Sequence, residues 1–288
     1  MVRRIALALG LAALAASLAA CGAGVKSAVD PVAAAATKSA KSGGYAATMT
    51  MKVGVDGKET TMTATGSFDQ DRGEMNMDMS GLFGRLGAPA GTDTTASIVY
   101  DVENGDPVMY MRFGFLAKLL PQGKTWVKID LEQAGKAAGI DFSQLLGGAT
   151  QSPTQGLDML RSAGDFTNEG SETIDGVQTT HYHGTIDLEK IAASGGPAAS
   201  AVQRLIQLGA PTSEPMDVWI DGSGFVRQFE ESYTQTIDGT ASTVDMTMTM
   251  SDYGGPVQIT VPPPDQVLDG TSLATQGLKT QLNPGPTA

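Results

Sequence analysis

The feature that most constrains this chain is a two-residue period, interrupted again and again by Asp-Gly or Asn-Gly. In residues 48–69, TMTMKVGVDGKETTMTATGSFD, Met49, Met51, Val53 and Val55 take every second position. Met62, Ala64, Gly66 and Phe68 do the same after Asp56-Gly57. Successive side chains of a strand point to opposite faces, so each run has one apolar and one polar side. Asp-Gly tolerates the positive φ angles of a two-residue hairpin turn. The pattern returns along the chain. Met75, Met77 and Met79 line a third strand, and Ile98 to Val102 and Val108 to Phe113 flank Asn104-Gly105. Phe166 to Ile174 and Val177 to Ile186 flank Asp175-Gly176. Met216 to Ile220, Phe225 to Ile237 and Thr243 to Tyr253 are separated by Asp221-Gly222 and Asp238-Gly239. With a short run at Trp126 to Ile129, these predict about ten strands, antiparallel to their neighbours.

Helical signals interrupt the meander. They lie at Pro31 to Lys41, at Leu131 to Leu146 (broken by Gly135 and Gly139), after Ser152-Pro153 through Leu157 and Leu160, and at Ala198 to Leu208 with Val202, Leu205 and Ile206 on its apolar side. Gly81 to Ser97 has the Gly/Pro/Thr content of a loop, and Val257 to Val261 is an extended piece halted by three prolines. The sum predicts an α+β fold, mainly antiparallel β: one large curved sheet with several helices on its concave face. No composition shift divides residues 31–269, which are expected to form a single domain. Low apolar content predicts a disordered tail over 270–288.

The N-terminus has another logic. Arg3 and Arg4 precede an apolar run from Ile5 to Ala20, the pattern of a secretory signal over residues 1–20. Leu18-Ala19-Ala20-Cys21 resembles a bacterial lipobox, in which the cysteine sulfur receives a diacylglyceryl group. Cys21 is the one cysteine in the chain, and a lone thiol in an exported protein needs such an explanation. The expectation is a lipid anchor at Cys21, a tether over 21–30, and a domain at the outer face of the cell membrane. No disulfide is available, so hydrophobic burial must hold the fold. The net charge of −12 disfavours nucleic acid and anionic headgroups as partners.

Motifs for catalysis are lacking. His181 and His183 share one side of a strand, with Tyr182 on the other, but no nucleophile elbow, metalloprotease motif or phosphate-cradling loop accompanies them. The chain is expected to be no enzyme and to use no cofactor. The methionines are the unusual feature, in MNMDM at 75–79 and MTMTM at 246–250. Strands ordinarily use branched or aromatic residues there. Three readings stay open: plain core packing by a pliable side chain, a deformable ligand wall, and a Cu(I) site of thioethers and imidazoles.

Four segments resemble the actinobacterial LppX/LprG-type lipoproteins, whose fold is similar to that of the LolA lipoprotein carriers. They are the lipobox at Cys21, GSETIDGVQTTHYHGTIDLEK at 170–190, DVWIDGSGFVRQ at 217–228, and SDYGGPVQITVPPPDQV at 251–267. The resemblance implies an unclosed half-barrel with helices over its open side and an apolar cavity between. It implies binding of acylated lipid or glycolipid and its carriage away from the plasma membrane, with an export-pathway protein as a further candidate partner. On this reading Met49, Met51, Val53, Met62, Met75, Met77, Met79, Leu157, Leu160, Leu205, Val218, Ile220, Met246, Met248 and Met250 line the cavity. The competing readings are an anchored interaction or structural module with a filled core, and a Met/His copper protein.

Overall fold

The two-residue period becomes one sheet of twelve strands among the described residues. The computed structural model describes residues 31–138 and 166–282, apart from positions 56, 70–71, 86, 104–105, 118, 194, 196–198, 208–211 and 238–239. The strands are β1 (Gly44–Val55), β2 (Lys58–Asp69), β3 (Gly73–Asp78), β4 (Thr95–Glu103), β5 (Asp106–Phe113), β6 (Trp126–Asp130), β7 (Phe166–Ile174), β8 (Val177–Asp187), β9 (Ser213–Asp221), β10 (Val226–Ile237), β11 (Thr240–Ser251) and β12 (Val267–Asp269). Their order is β12-β6-β5-β4-β3-β2-β1-β11-β10-β9-β8-β7, so the sheet is open, with β12 and β7 at its edges. The hairpins form where the sequence places them. At the β7–β8 turn Asp175 and Gly176 both have positive φ, 47° and 80°, the geometry that favours Asp-Gly.

Seven α-helices accompany the sheet: α1 (Pro31–Ala40), α2 (Ser80–Arg85), the single turn α3 (Gly114–Ala117), α4 (Leu131–Ala138), α5 (Leu188–Ala193), α6 (Ala199–Gln207) and α7 (Thr271–Leu282), counted among the described residues. Val32, Ala33 and Ala35 of α1, Leu131 of α4, Ile191 of α5 and Val202 of α6 join the methionines in one core cluster. The helices therefore cover the apolar side of the sheet. The helix signalled after Ser152-Pro153 lies outside the described residues.

Three helices correct the sequence reading. The loop at 81–97 contains α2, whose Ser80 N–H donates to the Asp78 carboxylate at 2.8 Å, while Leu82 and Phe83 reach the core. Helix α5 starts where Asp187 accepts from Lys190 N–H at 2.9 Å, an N-cap bond. The expected disordered tail is instead helical through Leu282. Thr271 N–H donates to Asp269 at 2.9 Å, its buried hydroxyl accepts from Asp130 N–H at 3.0 Å, and α7 packs on α4. Polar anchoring holds this segment, so its low apolar content was a poor guide.

Residues 254–266 form a strap on the face opposite the helices. Gly254 N–H donates to Gly44 O at 2.7 Å. Further on, Ile259 and Val261 pack against a second cluster of Val99, Val108 and Tyr110. Thr125 N–H then donates to Gln266 O at 3.0 Å, and β12 pairs parallel with β6. The strap thus carries the chain from β11, in the middle of the sheet, to β12 at its edge. It passes β1 so closely that a Cβ on Gly44 would sit 2.6 Å from Gly255 O. Gly44→Ala is expected to destabilise by about 1–3 kcal/mol, since a backbone oxygen cannot step aside. A lowered urea midpoint with an unchanged slope would register it.

Candidate ligand-binding face

The pairing registers align the apolar residues of six strands into cross-strand rows. One row runs Met62 (β2), Met51 (β1), Met246 (β11), Glu231 (β10) and Met216 (β9). The next runs Ala64, Met49, Met248, Phe229, Val218 and Tyr182. A third runs Thr60, Val53, Val244 and Tyr233. Neighbouring strands lie about 4.8 Å apart, so the methionine row spans roughly 19 Å. Thioether side chains lack branching and adapt their shape, so this face is pliable along its whole width.

Most of the residues expected at a cavity wall lie on this face. Met49, Met51, Val53, Met62, Met79, Val218, Ile220, Met246, Met248 and Met250 are buried in the main cluster, and Met75 and Met77 pack at its margin. Leu157, Leu160 and Cys21 lie outside the described residues, as does the side chain of Leu205.

Sequence reading missed the face's polar groups. Glu231 is 2% exposed, in the middle of the methionine row. Neither of its carboxyl oxygens has a hydrogen-bond partner among the described residues, and the same holds for Ser242 Oγ on β11. Glu214, also buried, alternates with Met216 and Val218 along β9. Burial pushes the Glu231 carboxyl up to about 8, helped by the neighbouring Glu214 charge. Burial alone pushes Glu214 to about 7. The Tyr233 hydroxyl is driven upward as well, by burial and then by both glutamates. A signal for Glu231 was available. In FEES the adjacent Glu230 and Glu231 cannot share a face of one strand, so one of them must point inward.

The histidines face the other way. His181 stacks on Trp219 at 4.4 Å between ring centres. Its Nε2 lies 2.6 Å from Asp217 and its Nδ1 3.2 Å from Glu172. His183 Nδ1 lies 2.9 Å from the same Asp217 oxygen, and Trp219 Nε1 donates to Glu172 at 2.9 Å. His181 and His183 are paired with Trp219 and Asp217, whereas Tyr182 is paired with Val218 on the core face. The sheet thus separates the imidazoles from the thioethers, and the Met/His copper site is not assembled among the described residues. Among the described residues no group of three His, Cys, Asp or Glu side chains is placed to hold a metal ion.

A model of the LppX_LprAFG lipoprotein family matches residues 117–259, from the end of α3 through the methionine strand β11 into the strap. Over these residues the chain is similar to the LppX_LprAFG lipoproteins. The solved structures it resembles include lipoprotein LppX of Mycobacterium tuberculosis, at 15% identity and TM-score 0.38, covering 76% of this chain and 90% of that one. LprF of Mycobacterium bovis is 18% identical at TM-score 0.39, over 78% and 93% of the two chains. An uncharacterised 31.2 kDa Streptomyces griseus protein is 28% identical over 58% of this chain and 54% of its own. A Streptomyces coelicolor protein named as a candidate lipoprotein is 31% identical over 54% and 46%. The chain spans about half the length of these curated relatives. No helix of the described residues is long and apolar enough to cross a membrane.

Proposed function

We propose that this protein is a membrane-anchored lipid carrier, not an enzyme. It binds an acylated lipid or glycolipid against the methionine face and moves it away from the plasma membrane. The observation that carries the reading is the row of four methionines across five strands of one open sheet. Side chains that repack cheaply suit a wall that must accept and release acyl chains of differing length. Each methylene taken from water contributes about 0.8 kcal/mol, so an ordinary acyl chain supplies affinity without any polar contact. The similarity to the LppX_LprAFG lipoproteins and the lipobox pattern at Cys21 support anchoring at the outer face of the membrane. Two acyl chains there satisfy the double hydrophobic signal that stable anchoring requires.

Full-length protein stripped of bound lipid is expected to take up a fluorescent fatty acyl probe with a rise in emission. Met51→Phe together with Met246→Phe, which swaps pliable side chains for rigid rings, is expected to cut that uptake severalfold while the fold persists. No uptake by the unaltered protein would sink the carrier reading and favour a filled-core interaction module.

A further inference from the structure

One member of the row Met62–Met51–Met246–Glu231–Met216 is not explained by apolar packing. Glu231 is 2% exposed, and both of its carboxyl oxygens lack a hydrogen-bond partner among the described residues. A buried polar group left unpaired is costly, whereas a methionine at this position would carry no such cost. The groups near it are themselves polar: Glu214 on β9 and Tyr233 two positions along β10. A donor and acceptor is wanted at this point of an otherwise apolar wall.

We propose that Glu231, with Glu214 and Tyr233 beside it, is a hydroxyl-recognition site set into the acyl-binding face, selecting acyl lipids that bring a free alcohol group to that depth. The inference rests on the carrier reading and sharpens it. Burial holds the Glu231 carboxyl up to about 8, so at neutral pH it is a carboxylic acid, able to donate and accept at once. An alcohol does the same, and the two can exchange reciprocal hydrogen bonds without bringing a charge out of water. An ammonium group would carry its own desolvation cost and need the glutamate ionised. A phosphate or carboxylate would meet acidic neighbours. The alcohol comes either from a hydroxylated acyl chain or from the free hydroxyl of a partial glyceride.

Competition against the fluorescent acyl probe on delipidated full-length protein separates these sources. The matched pairs are methyl 12-hydroxystearate with methyl stearate, and dioleoylglycerol with trioleoylglycerol. The hydroxyl-bearing member of at least one pair is expected to compete about five- to tenfold better, the worth of one net hydrogen bond. The pair that shows the preference identifies the source. Glu231→Met is expected to bring its members within twofold, while Glu231→Gln, whose amide still donates and accepts, retains part of the ratio. Equal competition in both pairs, or a preference that survives Glu231→Met, overturns the inference and leaves the carrier reading intact. Failure of every probe to bind overturns both.

Discussion

Glu231→Met is expected to stabilise the delipidated protein by about 3 kcal/mol at pH 7 and to flatten its dependence on pH. The unfolded chain ionises this carboxyl near 4.5, while the folded chain holds its proton to about 8. Between those values the folded state binds a proton that the unfolded state does not, so stability falls as pH rises. Each pH unit costs about 1.4 kcal/mol per group, and the full interval amounts to something on the order of 5 kcal/mol. Glu214, raised to about 7 by burial, adds a loss of the same sign over a narrower window. Below pH 4.5 both states are protonated and neither group contributes a slope. Urea melts from pH 4.5 to 8.5 should show the unaltered protein weakening steadily and the variant losing much less. A flat profile in the unaltered protein would mean that Glu231 is not buried as described.

The second large effect is expected at Phe229, which lies beside Glu231 on β10 and is 2% exposed. It stands in the row between Met248 and Val218. Phe229→Ala removes a fully buried ring from the core cluster, and such truncations cost about 3–5 kcal/mol through lost burial and the cavity left behind. Its partner Met248 on β11 relaxes into a gap more readily than a branched residue would. The loss is therefore expected toward the lower figure, with a correspondingly lower melting midpoint in calorimetry. The enlarged space is also expected to raise affinity for bulkier acyl probes, an outcome that a rigid core would not give.

Much of the fold was legible because the period of two and the Asp-Gly turns act locally. Strands β1 and β2, with their turn at Gly57, needed nothing from the rest of the chain. Row membership was different. Met51 and Met246 are paired although they lie at opposite ends of the domain, and no local pattern fixes which strands meet. The same gap hid Glu231. Its inward orientation could be read from Glu230-Glu231, but its place among four methionines depends on the pairing of β10 with β9 and β11. The strap and α7 were underestimated for another reason. Their positions rest on backbone hydrogen bonds to Gly44 and Thr125 and on the Thr271 hydroxyl, groups that apolar periodicity does not register. The copper reading failed on geometry that the sequence did contain. His181 and His183 share a strand face opposite Tyr182, and Tyr182 belongs to the methionine side.

The central claim is that the methionine face holds lipid, and native mass spectrometry of gently purified full-length protein tests it most directly. The expected spectrum contains a protein–lipid complex whose added mass matches an acylated lipid, released on collisional activation and absent after delipidation. A spectrum of bare protein, from a preparation that also refuses a fluorescent acyl probe, would contradict the account.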